Sequence, residues 1–376
     1  MTHPAAFYRG DRHFAVGTMP ARQPGPGEVA IDVAYVGICG TDLHVFHGNM
    51  DARVGKNRVI GHEMSGTVAE VGPDAGDFTP GERVVVRPLH PCGSCPTCKA
   101  GHAHICQNLK FLGLDTDGAM QGRWIVPAFT LHRLPEGLSL EVAALVEPLA
   151  VAVHDVRRAR LKAGETALVI GGGPIGMLIA MVAQAEGATV ILSEINQNRL
   201  DMAAAMGVEG LNPREVNVAE AVHERTGGAG ADVVFEVSGT QPGVDLMTDA
   251  VRARGRIVMV AIHANKAQVD LFRFFWREVE MLGARVYEPQ DYDRAIAMLA
   301  EGLPVGRLIT DRYPLAEVQA AFEALKGWMQ SMPTGIEGRR QMPRFDLTDD
   351  EFRALTDFLL FTGTINTQNW PPNDAG

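Results

Sequence analysis

Two patterns of hydrophobic and polar residues divide this chain. Up to about residue 148, apolar residues occur in short β-branched runs separated by glycine and proline, for example over residues 29–36, 66–71 and 83–86. Such runs are typical of strands, so this part is predicted to form an irregular, mostly β domain. From about Val151 the apolar runs alternate with helical periods, which predicts a doubly wound parallel sheet ending near Val286.

The part with helical periods predicts a series of strands with helices between them. Strands are expected over residues 166–170, 189–193, 231–237, 256–261 and 279–286, and helices over 174–186 and 197–206. Two more helices are predicted over residues 292–300 and 315–325, with a short strand between them. Further on, Thr348 and Glu351 form a capping-box pattern before an apolar-periodic stretch over 352–361.

The composition is that of a globular protein. The 376 residues are 46% hydrophobic, and 34 basic against 45 acidic side chains leave a net charge of −11. This length is enough for two domains that each bury their own core. The acidic balance, without a block of Lys or Arg, argues against a nucleic-acid or anionic-membrane surface, so a small-molecule partner is expected.

The sequence also predicts a protein that does not span a membrane. The apolar run over residues 167–182 is interrupted by Gly171 to Pro174, whereas a spanning helix needs about 20 apolar residues. Residues 1–14 lack the apolar core of a signal peptide, so a cytoplasmic protein is expected. Four of the five cysteines cluster between Cys92 and Cys106, which in the cytoplasm indicates metal binding rather than disulfide bonding.

The clustered cysteines have the spacing of a closed metal site. Two residues separate the first three thiols from one another, and seven residues precede the fourth; the set is Cys92, Cys95, Cys98 and Cys106. Four thiolates complete a tetrahedral zinc site and leave no position for chemistry, so a structural role is predicted. An iron–sulfur cluster and unmetallated thiols are the alternatives. For the cluster, the last spacing is longer than in bacterial ferredoxins and lacks their trailing proline.

Any second metal site must be completed by histidine or carboxylate, since only Cys39 remains. Cys39 follows a β run, and His62 and Glu63 open the strand predicted over residues 66–71. A Cys, His and Glu set leaves the fourth position open for water or substrate. The three residues are therefore candidates for a catalytic zinc site.

A glycine-rich turn lies between the first strand and the first helix of the predicted parallel sheet. Gly171, Gly173 and Gly176 form a G-x-G-x-x-G pattern, with Ile175 between the last two. Glycines at these positions allow a tight turn and close approach of the backbone to a pyrophosphate, whose charge lies at the helix N-terminus. The pattern predicts a dinucleotide site.

Two residues further along bear on the choice of dinucleotide. Glu194 ends the next predicted strand, where an acid accepts hydrogen bonds from ribose hydroxyls and repels a 2′-phosphate, so NAD is preferred. Arg199 weakens that preference, because a nearby arginine can hold a 2′-phosphate. NADP therefore remains the alternative.

These motifs together resemble the zinc-dependent medium-chain alcohol dehydrogenases, most closely the sorbitol, threonine and butanediol dehydrogenase branch. The resemblance covers residues 1–326 and rests on Cys39-Gly40-Thr41-Asp42, Gly61-His62-Glu63-x2-Gly66-x5-Gly72 and the four-cysteine cluster. It implies a GroES-like catalytic domain over residues 1–148, to which 287–326 return, and a Rossmann domain over 149–286. It also implies catalytic and structural zinc ions and a homodimer or homotetramer.

The same resemblance assigns roles to further residues. Thr41 and His44 are expected to relay the alkoxide proton to solvent, which suits a histidine of ordinary pKa. Glu147 is expected to contact zinc, directly or through water. The implied reaction is hydride transfer from a secondary hydroxyl of a polyol, diol or sugar acid to NAD, giving a ketone. Apart from the resemblance, the positions of Phe46, Arg285 and Tyr287 relative to the motifs make them candidates for the substrate pocket.

The residues from 327 to 376 depart from this family. Met342-Pro343, the residues that follow it and the Trp370-Pro371-Pro372 segment resemble the end of the cytochrome c subunit of bacterial nitric oxide reductase. No Cys-x2-Cys-His occurs, so covalent haem attachment is excluded. The altered end leaves an alternative function, a zinc- and NAD-binding protein with impaired catalysis.

Overall fold

The computed structural model describes residues 2–263 and 266–330. These residues divide into two compact units. The first comprises residues up to Pro148 and the described residues from Glu288 onward, and the second comprises Leu149–Tyr287. The cytochrome-like segment predicted over residues 327–376 lies, from residue 331 onward, outside the described residues.

In the first unit, the described residues up to Ala143 form nine strands and four helices. The strands are β1 (Thr2–Gly10), β2 (His13–Pro20), β3 (Glu28–Gly37), β4 (Glu63–Val71), β5 (Arg83–Val86), β6 (Leu89–His90), β7 (Lys110–Phe111), β8 (Arg123–Pro127) and β9 (Leu131–Arg133). The helices are α1 (Gly40–Phe46), α2 (Asp51–Val54), α3 (Pro96–Lys99) and α4 (Leu140–Ala143). Short 3-10 turns occupy Ala103–Ile105 and Ala128–Thr130.

An antiparallel sheet of order β8-β3-β4-β5-β9 forms the centre of the first unit. β3 pairs with β4 from Val29 opposite Val71 to Gly37 opposite Glu63. Alternation along β3 buries Val29 and Ile31 against Met64 and Trp124. β1 pairs with β2 in a separate hairpin.

The chain enters the second unit within α5 (Val146–Arg158) and builds a six-stranded sheet. Its strands are β10 (Thr166–Ile170), β11 (Thr189–Ser193), β12 (Glu209–Leu211), β13 (Ala231–Glu236), β14 (Val251–Met259) and β15 (Glu280–Gly283). Its helices are α6 (Pro174–Ala185), α7 (Gln197–Ala205), α8 (Val218–Arg225), α9 (Gln241–Ala250) and α10 (Leu271–Arg277). All described pairs are parallel, in the order β12-β11-β10-β13-β14-β15, so β10 is central and almost wholly apolar.

Three predicted strands of this sheet have different bounds from those expected. β13 ends at Glu236, one residue before the predicted end. β14 begins at Val251, five residues before the predicted start. A register shift after Ala231 and a left-handed backbone at Arg254 (φ 53°) allow the strand to include the polar residues Arg252 and Arg254. β15 ends at Gly283 rather than at residue 286.

The last described elements belong to the first unit. They are α11 (Pro289–Ala300), 3-10 turns at Val305–Leu308 and Leu315–Glu317, and α12 (Val318–Gln330). The strand expected between the two helices is wrong, because the 3-10 turn at Val305–Leu308 occupies that segment. Phe322 of α12 stacks on Phe14 at 4.5 Å between ring centroids, so the returning helix closes the core beside the β1–β2 hairpin.

None of the described helices is long and apolar enough to cross a bilayer.

Candidate metal and nucleotide sites

Three predicted metal ligands converge in the first unit. Cys39 is the N-cap of α1, just after β3, while His62 and Glu63 lie at the start of β4. The antiparallel pairing of Gly37 with Glu63 brings the two segments together. The ligand atoms of Cys39, His62 and Glu63 all lie within 4.8 Å of one another, and Sγ of Cys39 is 3.3 Å from Nε2 of His62.

The donor set fits a zinc ion. Zinc bound to sulfur at about 2.3 Å and to nitrogen at about 2.0 Å in tetrahedral geometry separates those atoms by about 3.5 Å. Burial raises the pKa of the Cys39 thiol, and the carboxylates of Asp42 and Glu63 raise it further. Burial also raises the pKa of Glu63, and the charges of Glu147 and Asp42 raise it further. A buried group of acids and a thiol is stabilised as anions by a divalent cation.

Gly37 leaves the room that the Glu63 carboxylate occupies. A Cβ at Gly37 would lie 2.4 Å from Oε2 of Glu63. Any larger residue there would displace the carboxylate, so this glycine belongs to the site although no spacing rule marks it.

Asp42 is a second residue that the sequence reasoning missed. It is fully buried in the first turn of α1, and its Oδ2 accepts a hydrogen bond from the Cys39 backbone N–H at 3.1 Å. Its Oδ1 faces Nδ1 of His62 at 3.7 Å. A carboxylate facing this nitrogen favours the tautomer with the proton on Nδ1, which leaves Nε2 available to a metal. The signal available in the sequence was its position three residues after Cys39, on the first turn of a helix.

The three residues assigned to catalysis lie in the same unit. Thr41 and His44 are three positions apart on α1 and therefore share one face of the helix. Burial lowers the pKa of His44 to about 4, with a further contribution from His47. The expectation of an ordinary histidine pKa is therefore wrong, and His44 is neutral at pH 7. Glu147, in the first turn of α5, is buried and close enough to raise the pKa of both Cys39 and Glu63.

The four clustered cysteines also converge. The sulfur of Cys106 lies 3.4 Å from that of Cys92 and 3.8 Å from that of Cys95, and Cys98 completes a set within 4.8 Å. Sulfurs around a tetrahedral zinc at about 2.3 Å are about 3.8 Å apart. Backbone N–H groups of Ser94 and Cys95 lower the pKa of Cys92 to about 5, which favours the thiolate. This set also fits zinc.

The glycine turn of the second unit lies between β10 and α6. Gly171 has φ +104°, and a Cβ at Gly176 would lie 1.9 Å from the carbonyl oxygen of Gly171. Gly173 is the N-cap of α6, Pro174 is its first residue, and Ile175 follows half-buried. The N-terminus of this 12-residue helix is therefore open to an anion.

Glu194 holds this turn from the end of β11. Its Oε2 accepts from the backbone N–H of Gly172 at 2.7 Å, and its Oε1 accepts from Ile195 and Asn196 at 2.7 and 2.8 Å. Arg199 lies 3.4 Å from Oε2 of Glu194. The carboxylate is therefore fixed beside the turn by three backbone N–H groups, and the arginine is engaged with it.

The candidates for a substrate pocket belong to both units. Phe46 is buried in the aromatic core of the first unit, with its ring 5.2 Å from that of Phe322. In the second unit, Tyr287 is fully buried and Arg285 is exposed.

Comparison with known proteins identifies the family. The chain is 54% identical over 334 residues to the 2-dehydro-3-deoxy-L-galactonate 5-dehydrogenase of Pseudoalteromonas atlantica, which covers 89% of this chain and 98% of the relative. Residues 25–136 match the alcohol dehydrogenase GroES-like domain, and residues 174–301 match the zinc-binding dehydrogenase domain. The chain belongs to the zinc-dependent medium-chain polyol dehydrogenases.

Other relatives of this dehydrogenase family agree. The sorbitol dehydrogenase of Halalkalibacterium halodurans is 34% identical and covers 84% of this chain and 94% of its own length. A protein of Sinorhizobium meliloti, described as a zinc-binding dehydrogenase and solved with NADP bound, is 31% identical with a TM-score of 0.80, covering 86% of this chain and 95% of its own.

These comparisons confirm several predictions made from the sequence. The fold class, a GroES-like domain with a Rossmann domain, is confirmed, as is the assignment to the alcohol and polyol dehydrogenases. Zinc and a nicotinamide cofactor belong to the chemistry of this enzyme.

Proposed function

We propose that this enzyme oxidises the secondary hydroxyl at C5 of a 2-keto-3-deoxy sugar acid to a ketone, with NAD as the acceptor. The observation that carries this proposal is the 54% identity to a 2-dehydro-3-deoxy-L-galactonate 5-dehydrogenase across 98% of that relative. The broader prediction, oxidation of a polyol or sugar acid, is confirmed by the galactonate and sorbitol dehydrogenases among the relatives.

In this proposal Cys39, His62 and Glu63 hold the catalytic zinc. When bound, zinc supplies a Lewis acid that favours the alkoxide form of the substrate hydroxyl. Asp42 orients His62, and the charge of Glu147 raises the pKa of the ligands Cys39 and Glu63. Asp42, His62, Glu63 and Glu147 are all buried, and this burial strengthens the charge interactions among them.

Thr41 and His44 carry the proton away from the substrate hydroxyl. The hydroxyl of Thr41 accepts a proton while donating its own, and the neutral imidazole of His44 accepts on one nitrogen while donating from the other. Because the pKa of His44 is about 4, the imidazole passes the proton on instead of retaining it. The four-cysteine cluster holds a second zinc ion that only shapes its loop.

The preference for NAD follows from Glu194. Three backbone N–H groups and Arg199 hold its carboxylate beside the glycine turn, where it would repel a 2′-phosphate and accept hydrogen bonds from ribose hydroxyls. Because Arg199 pairs with this carboxylate, the positive charge of Arg199 is offset by Glu194. The expected kcat/KM is higher with NAD than with NADP.

A substrate panel with metal analysis tests the function. The wild-type enzyme is expected to hold two zinc ions and to reduce NAD with 2-keto-3-deoxy sugar acids faster than with sorbitol or butanediol. Cys39→Ala is expected to lose one ion and all turnover while still binding NAD, whereas Cys98→Ala loses the other ion. Protein that binds NAD and two zinc ions but reduces no NAD with any substrate would favour the impaired alternative.

We also propose that the enzyme is a homo-oligomer built through the second unit. Leu271, Phe272, Phe275 and Trp276 of α10 are between 66% and 78% exposed. In the described sheet, β15 pairs with β14 on one side only. Exposed apolar side chains and an open strand edge are each typical of an interface, and both occur in this unit.

A second copy of this chain suits that surface. An edge strand that pairs antiparallel with its own copy generates a two-fold axis, so the same residues face each other. Neighbouring charges are already paired within the chain, Arg273 with Asp249 and Arg254 with Glu278 at 3.2 Å, which leaves an apolar patch. Trp276→Glu is expected to give monomers in sedimentation velocity, while Phe129→Glu, at an exposed aromatic in the first unit, leaves the oligomer intact. A wild-type monomer would contradict the proposal.

We place the enzyme in the cytoplasm. The zinc-binding thiols need a reducing compartment, since oxidation to disulfides would compete with the metal. Fractionation of cells that produce the tagged protein tests this placement.

A further inference from the structure

The end of β7 and the loop after it lie against the zinc ligand His62. The ring of Phe111 meets the imidazole edge-on, with 5.1 Å between ring centroids and 87° between their planes. A perpendicular aromatic contact of this kind restricts rotation of the imidazole about its last side-chain bond.

The backbone of the same loop is packed tightly behind His62. A Cβ at Gly113 or at Gly118 would lie 2.4 Å from the carbonyl oxygen of Gly61, and the N–H of Ala119 donates to that oxygen at 2.9 Å. The residues from 111 to 119 therefore form a close support for the start of β4.

One ion pair ties this support to α2. Nε of Arg53 donates to Oδ1 of Asp115, and its terminal nitrogen donates to Oδ2, both at 2.8 Å. The same Oδ2 accepts from the backbone N–H of Phe111 at 2.7 Å. Burial opposes ionisation of Asp115, but the bonds from Arg53 and Phe111 outweigh it and lower the pKa of Asp115. The two side chains are only 29% and 24% exposed, and the two-point geometry fixes their orientation.

We propose that Arg53 and Asp115 are positioning residues for the catalytic metal, acting through Phe111 on the orientation of His62. The ion pair of Arg53 and Asp115, here called the clamp, holds the Phe111 backbone, and the Phe111 ring holds the imidazole of His62. The imidazole thereby keeps Nε2 directed at Cys39. None of these three residues touches the metal ligand atoms of Cys39 or Glu63 in the described contacts. The proposal rests on the zinc site assigned above to Cys39, His62 and Glu63.

Two variants test the clamp at separate points. Asp115→Asn keeps the shape but removes the charge that pairs with Arg53, and Phe111→Leu removes the ring while leaving the ion pair. The control is Asp32→Asn, which breaks a similar arginine contact in the same unit, to Nε of Arg123 at 2.8 Å. The measurements are the rate of zinc release to a chelator, the visible spectrum of the cobalt-substituted protein, and the melting temperature.

Both test variants are expected to release the catalytic zinc about 10-fold faster than wild type, in the range typical of residues that orient a metal ligand. Their cobalt spectra are expected to change, whereas Asp32→Asn matches wild type in both measurements. If Asp115→Asn and Phe111→Leu only lower the melting temperature, with zinc release and cobalt spectrum unchanged, the clamp is structural and the proposal is wrong. Should Asp115→Asn fail to fold, Phe111→Leu alone decides between these results.

A different result separates failure of the zinc assignment from failure of the clamp. Cys39→Ala is expected to lose the faster-released ion entirely. If that variant retains both ions, the metal site is not where we assign it, whatever the behaviour of Asp115→Asn.

Discussion

Replacing Asp42 by asparagine changes one buried charge without changing the shape of the side chain. Oδ2 of Asp42 accepts from the Cys39 backbone N–H at 3.1 Å, and Oδ1 faces Nδ1 of His62 at 3.7 Å. An introduced amide must keep its oxygen toward Cys39, because two N–H donors cannot face each other. Its NH2 group therefore points at His62.

That orientation selects the wrong tautomer of His62. An NH2 group opposite Nδ1 favours an unprotonated Nδ1, which places the proton on Nε2. Nε2 is the atom that lies 3.3 Å from the Cys39 sulfur, on the side of the proposed zinc. A protonated Nε2 cannot bind a metal, so Asp42→Asn opposes zinc binding directly.

The size of the effect follows from comparable metal sites. Loss of a residue that orients a metal-binding histidine lowers metal affinity by roughly 10- to 100-fold, which is about 1.4 to 2.7 kcal/mol. The same substitution should stabilise the metal-free protein, because the charge of Asp42 raises the pKa of both Cys39 and Glu63 and so adds to the repulsion among the buried groups. Zinc should therefore raise the melting temperature of this variant less than that of wild type.

Competition with a chelator measures this effect. The concentration that removes half of the catalytic zinc should fall 10- to 100-fold in Asp42→Asn, in the range cited above, and the release of the four-cysteine zinc should not change. Asp51→Asn is the control, since Asp51 binds the Tyr8 hydroxyl in the same unit. If Asp42→Asn holds its catalytic zinc as tightly as wild type, the reasoning about the tautomer is refuted.

Three further predictions concern other parts of the molecule. His44 has a pKa of about 4 in the folded protein and 6.5 in the unfolded chain, so the unfolded state binds more protons between these values, and stability falls as the pH is lowered through that window. In urea unfolding at pH 7.5 and 5.5, the free energy of unfolding should therefore fall less for His44→Gln than for wild type. An equal fall would contradict this. Gly176→Ala places a Cβ 1.9 Å from the Gly171 oxygen, so coenzyme binding measured by fluorescence titration should be lost while both zinc ions remain. Tyr8→Phe leaves the Asp51 carboxylate without its 2.6 Å hydrogen bond and should lower the free energy of unfolding by about 1 to 3 kcal/mol in urea titrations, with no change in zinc content.

Local spacing explains which parts of the site the sequence predicted. The four clustered cysteines and the glycine turn are set by residues close in the chain, where short loops allow few arrangements. β5, β10 and β11 were predicted with the bounds that the structure has, because their apolar runs are ended by turn residues. The turn at Val305–Leu308 was mistaken for a strand, because short apolar segments do not distinguish these structures.

The residues that orient the metal ligands could not be found in this way. Asp42 meets His62 only because β3 and β4 pair, and Asp115 meets Arg53 only because the loop after β7 folds back on α2. These contacts join positions 20 and 62 apart in the chain. No local pattern records them.

The sequence by itself determined the kinds of chemistry available to this protein: a thiolate, imidazole and carboxylate set, a four-thiolate cluster, and a glycine turn at a helix start. These depend on residue types and short spacings. The tertiary structure decided the strength and direction of that chemistry, including the low pKa of His44, the raised pKa of Glu63 and the supports behind His62. Burial and charge at a point in the fold are set by all the segments that pack around it, and those segments are distant from one another in the chain.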